Sequence, residues 1–131
     1  MQEMIYTRDR AHIVLDTGTY KGYQYLIKSL GTHPTAYVKI PDTHPYYEAD
    51  IFDCADIECH FGLTYAAGHL YTPDEKLDGW WVGWDYAHCT DYAGYYADGE
   101  YLGHLKKWTT EEIKQECYRV IDQFAKKELE K

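Results

Sequence analysis

The apolar runs before residue 85 are short and broken by Gly or Pro, whereas helical spacing appears only after Thr109. That order predicts an α+β fold, an antiparallel β-sheet with a C-terminal α-helix packed on one face. Strands are expected at residues 11–16, 23–28 and 35–40, the second of which begins by alternating aromatic and polar residues. A turn is expected at 17–22, which holds two glycines, and a hairpin connection at 31–34. Pro41 should end the third strand, because proline donates nothing to a ladder. A further strand is expected at 57–61, continuing through 63–66 after a bend, with loops at 41–56 and 66–79. Residues 80–84, Trp-Trp-Val-Gly-Trp, read as a buried strand in which Gly83 marks a close backbone approach or a bulge. Residues 90–105 give no period.

The helix has both of its signals. Thr109 can cap it, and Glu112 stands three residues on as the capping-box partner. Ile113, Cys117, Val120 and Phe124 follow at spacings that make one face. Lys126 and Lys127 stand near the end, where the helix dipole favours cations. A chain of 131 residues suits one core, so residues 1–131 are read as a single domain.

Charge excludes some functions. The formal net charge is -9, and residues 42–105 hold 13 Asp and Glu against the single Lys76. Phosphate backbones need Lys and Arg clusters, so direct nucleic-acid binding is not expected. An acidic middle favours a cation or a basic protein surface. The 15 Tyr suit strands and also binding surfaces. No apolar run is long enough for a membrane span, and the first residues lack a basic start and an apolar core, so neither a membrane nor a signal peptide is expected. The expected location is cytoplasmic.

Cys54, Cys59, Cys89 and Cys117 form no Cys-x-x-Cys pair and are read as reduced thiols. A zinc site on Cys54, Cys59, His60 and His88 lacks the usual paired spacing. No metal is therefore expected to be needed for folding, and no cofactor is implied.

The chemistry-bearing residues concentrate after the tryptophans. Trp80, Trp81 and Trp84 run into Asp85, His88 and Asp91, an apolar wall followed by carboxylates and an imidazole spaced by three. This set suits metal binding, general base chemistry or ligand hydrogen bonds. His60, presented before Gly62, is expected to share a concave pocket with Trp81, Asp85 and His88. Thr64, His44 and Tyr47 complete the expected ligand-binding set with Trp80 and Asp91. Asp50, Asp53 and Asp56, with Glu58, form an acidic run that suits a hard cation or simply a solvated loop. No nucleophile elbow and no phosphate-cradling glycine loop is present.

Tyr37-Val38-x-Ile40-Pro41, His44-Pro45-x-Tyr47, Asp53-x-x-Asp56, His60-x-Gly62-Leu63-Thr64-Tyr65 and Trp80-Trp81-x-Gly83-x-Asp85-x-Ala87-His88-x-x-Asp91 follow in that order. Together they resemble a family of small proteins of phages, prophages and mobile elements in bacteria. Phe61 departs from it, standing where the resemblance places glycine. The resemblance implies a mobile-element origin and, through it, a role against host defence. Two functions are carried forward. One is a non-enzymatic binding protein whose partner is a host defence protein or a small nucleotide-like ligand. The alternative is a small hydrolase using a divalent metal on Asp85, His88, Asp91 and His60.

Overall fold

The structure, a computed structural model, describes residues 1–96 and 104–130. These residues form five strands and one long helix: β1 (Ile13–Tyr20), β2 (Tyr23–Ser29), β3 (Pro34–Ile40), β4 (Tyr65–Tyr71), β5 (Lys76–Asp85) and α1 (Thr110–Leu129). The strands make one antiparallel sheet in the order β1-β2-β3-β5-β4. α1 lies against β1, β2 and β3, which is the expected α+β arrangement.

Strand alternation divides the core into two layers. Leu15, Tyr23, Tyr25, Ile27, Ala36, Val38, Ile40, Val82 and Trp84 face the helix and pack with Ile113, Cys117, Val120, Ile121 and Phe124. The opposite face carries a smaller cluster of Leu26, Tyr37, Leu70 and Trp81. Gly83 in β5 faces Tyr37 of β3, and a Cβ there would lie 2.4 Å from its ring. The glycine therefore marks a close approach, as its place in the Trp run suggests.

Three expectations fail locally. The turn at 17–22 is shorter, because β1 runs on to Tyr20 and only Lys21 and Gly22 turn, both with positive φ. The strand at 57–61 is instead irregular backbone that ends in a turn at His60 and Phe61. Its backbone is satisfied outside the sheet: Glu58 N–H donates to Gln123 Oε1 on the helix, and Gly62 N–H donates to the Cys59 carbonyl. The loop at 66–79 is a hairpin of β4 and β5. Gly68 sits at a register shift between Ala67 and His69, and Pro73 sits in the tight turn closed by Thr72 N–H to the Glu75 carbonyl. Both residues that suggest a loop thus have places within a hairpin. Of the unassigned segment 90–105, residues 97–103 lie outside the described residues.

α1 begins with a complete capping box. Thr109 Oγ1 accepts the Glu112 N–H at 3.2 Å, and Glu112 Oε1 accepts the Thr109 N–H at 3.0 Å. A neighbouring helix donor, Thr110 N–H, is taken by Glu3 Oε1. Replacing Thr109 by Ala should cost about 1 kcal/mol. The thermal midpoint followed by circular dichroism should fall by about 4 °C. An unchanged midpoint would show that the Glu3 contact alone holds the helix start.

Candidate functional site

Three segments meet beyond the end of β5. His60 comes from the long connection between β3 and β4, His88 and Asp91 from the turn after β5, and Trp108 from the residue before the helix cap. The turn is closed twice: Asp91 N–H donates to the His88 carbonyl at 2.9 Å, and His88 N–H donates to Asp91 Oδ2 at 3.0 Å. Backbone bonds from Tyr92 N–H to the Lys106 carbonyl and from Lys106 N–H to the Thr90 carbonyl bring the Trp108 segment alongside.

Asp91 is the centre. Its side chain is 1% exposed. Its carboxylate accepts from His60 Nε2–H at 2.9 Å, from Trp108 Nε1–H at 2.8 Å and from the His88 backbone. Burial alone would raise the Asp91 carboxyl, but these donors outweigh it and hold it below the ordinary carboxylate range. His88 Nδ1 stands 3.5 Å from Asp91 Oδ2 and 3.6 Å from Asp85 Oδ1, and this buried atom has no hydrogen-bond partner among the described residues. Asp85 is held in turn by the Ala87 N–H at 3.1 Å and the Thr64 hydroxyl at 3.4 Å.

Rings wall the cluster. The His60 imidazole stacks on Tyr86, with centroids 4.5 Å apart, and meets Trp108 edge-on. Phe61 stacks on His88 at 4.2 Å. It does so from a left-handed backbone, φ 58°, in the turn that Gly62 N–H closes onto Cys59. Glycine is the residue that takes this conformation without strain, so Phe61 holds it at a cost. His60 also borders an open cleft of about 350 Å³ with Glu58, Cys59, Glu116, Arg119 and Gln123.

The structure brings His60, His88, Asp91, Asp85 and Thr64 together, with a His60–His88 centroid distance of 5.7 Å. It does not bring Trp81 with them. Trp81 is buried in the smaller cluster with Leu26, Tyr37 and Leu70, four residues back along β5 from Asp85 and on the face away from the helix. Trp80 points to the helix side and gives its indole N–H to the Ala49 carbonyl. With Tyr47, Lys39, Gln24, Thr19 and Asp42 it lines a different cavity of about 530 Å³. His44 is not available to a ligand. Its Nε2–H donates to the Phe124 carbonyl, its Nδ1 accepts the Tyr46 N–H, and the residue is 4% exposed.

The acidic run does not converge on a cation. Asp50 caps the Phe52 and Asp53 amides, and Asp56 pairs with Lys127 and the Tyr46 hydroxyl. The four cysteines are free thiols, and burial pushes Cys54 up to about 11 and Cys59 up to about 12. Among the described residues, the one set of metal-capable side chains with mutually close ligand atoms is His60, His88 and Asp91, and it contains no cysteine. Trp108 was not among the expected site residues. Its place before the cap reads as a hydrophobic residue at a helix start, and nothing in the spacing links it to Asp91.

No helix of the described residues is long and apolar enough to cross a membrane. Compared with protein-family models, curated proteins and solved structures, the chain matches none.

Proposed function

We propose that this chain is a non-enzymatic binding protein of phage or mobile-element type, acting in the cytoplasm of its bacterial host by occupying a basic surface of a defence protein. The connection between β3 and β4 carries the reading. It presents Asp42, Glu48, Asp50, Asp53, Asp56 and Glu58 to solvent, and among the described residues only Asp56 of these is paired with a lysine, Lys127. Among them Phe52 is 80% exposed and borders a shallow hollow of about 260 Å³ with Ile51, Ala55, Gly62 and Leu63. A solvated phenyl ring beside an apolar hollow supplies an anchor, and the unpaired carboxylates supply steering and register. Carboxylates arrayed on a loop offer a basic groove the same sign of charge as the nucleic acid it otherwise holds.

A small-ligand reading has its own support. The cavity beneath Tyr47 and Trp80 has the volume of a site for a nucleotide-sized molecule, and Lys39 at its wall supplies a cation.

The test begins with the partner captured from infected cells. Its association rate should fall by about tenfold or more between 0.05 M and 1 M salt, as the Debye length shrinks to ~3 Å. Phe52→Ala should speed dissociation while leaving that salt dependence intact. A rate that does not change with salt would overturn the proposal.

A further inference from the structure

The geometry points to a divalent transition-metal site formed by His60 Nε2, His88 Nδ1 and an Asp91 oxygen, with Asp85 beside it. The inference does not rest on the binding reading above. It starts from an oddity of His88. Nδ1 is buried, faces two carboxylates, and hydrogen-bonds to neither, at 3.5 Å and 3.6 Å. A protonated ring nitrogen facing a carboxylate closes to about 2.8 Å. Two ligand atoms each about 2.1 Å from one tetrahedral cation stand about 3.4 Å apart. The His88–Asp91 distance fits the second arrangement, and the His60 Nε2–H bond to Asp91 would be exchanged for a bond to the ion with release of that proton. His60, His88 and Asp91 all offer ligand atoms within 4.8 Å of one another.

Charge and donor type agree. Two neutral imidazoles and one carboxylate around a doubly charged cation leave one positive charge, which the Asp85 carboxylate cancels. Asp85 lies near His88 alone of the three, so it would balance charge beside the site rather than ligate. Nitrogen donors favour zinc-like cations over magnesium or calcium, which take oxygen. The supporting contacts are those that metal ligands usually have: Trp108 Nε1–H and the His88 amide orient Asp91, and Tyr86 holds the His60 ring flat. Its ligands stand 28 and 3 residues apart, on the connection before β4 and on the turn after β5, with none of the paired spacing of structural zinc.

Zinc chloride titrated into the chelator-stripped full chain should bind saturably at one ion per chain. At a hundredfold excess over its dissociation constant, zinc should raise the thermal midpoint by roughly 10 °C, while magnesium leaves it in place. His88→Ala removes a ligand but no hydrogen bond made by the ring. It should weaken zinc binding at least about tenfold while melting close to the parent without metal. Cobalt(II) supplies a readout that needs no variant: weak visible bands without an intense thiolate charge-transfer band. Absence of saturable uptake, unchanged affinity in His88→Ala, or a thiolate band from cobalt on the cysteines would each overturn the site.

Discussion

Asp91→Ala should destabilise the metal-free protein by about 3–5 kcal/mol, the loss expected when one partner of a buried, charge-assisted network is removed. The magnitude follows from what is left behind. His60 Nε2–H, Trp108 Nε1–H and the His88 amide would all lose their acceptor, and Asp91 itself is 1% exposed, so water reaches the gap poorly. Asp91→Asn should fall between. It keeps one carbonyl oxygen, but its amide group must face a donor. The same network gives a pH dependence with a definite sign. The folded carboxyl is held below its unfolded value of about 3.9, so its contribution is complete above that value. It is lost as pH falls from there through the lower folded value. Urea unfolding of parent and Asp91→Ala should therefore differ by the full amount at neutral pH and converge in acid. A difference under about 1 kcal/mol at pH 7 would mean that the donors find other partners, and the network would not be the centre of the site.

Much of this arrangement is legible in the sequence. The capping box at Thr109, the face Ile113–Cys117–Val120–Phe124 and the strands around Tyr25, Tyr37 and Trp84 follow from period and turn chemistry alone. The hairpin of β4 and β5 was not legible, because its two loop-like residues serve special positions, Gly68 at a bulge and Pro73 in the turn. The strand expected at 57–61 failed for the converse reason. Its alternation is local, and a helix side chain, Gln123, takes the backbone groups that a neighbouring strand would have taken. At the site, His60 and His88 converge as their flanking glycine and tryptophans suggest, yet the tryptophans form no single wall. Period two sends Trp80 and Trp81 to opposite faces, a consequence available from the sequence once β5 is accepted as a strand. Trp108 and its bond to Asp91 depend on tertiary contacts across 17 residues, which no local pattern encodes.

Gly94→Ala and Gly31→Ala should each destabilise far more than the one methyl group they add would suggest, and their effect should travel to Asp91. The first nine residues form a strap over the sheet end. Gln2 N–H bonds the Leu15 carbonyl, Thr7 N–H bonds the Gly31 carbonyl, and Met4 is buried. The Tyr6 hydroxyl then donates to the Trp108 carbonyl at 2.8 Å, so the strap holds the residue that holds Asp91. Two glycines let it lie this close. A Cβ on Gly94 would stand 1.9 Å from the Thr7 oxygen, and one on Gly31 would stand 1.8 Å from the Asp9 oxygen. Both obstacles are backbone, which yields only if the strap moves. Overpacking of this kind costs about 1–3 kcal/mol. Gly31 has φ 84° as well, and a side chain held there adds roughly 1–3 kcal/mol of strain. Gly31→Ala should therefore lose about 3 kcal/mol or more, a large share of the 5–15 kcal/mol typical of a whole domain, and Gly94→Ala about 2 kcal/mol. Hydrogen exchange separates this from general destabilisation. In both variants the Thr7 amide and the Trp108 indole should exchange faster than the helix amides of Val120 and Ile121. Uniform acceleration across the chain would show that the strap and the site are not coupled.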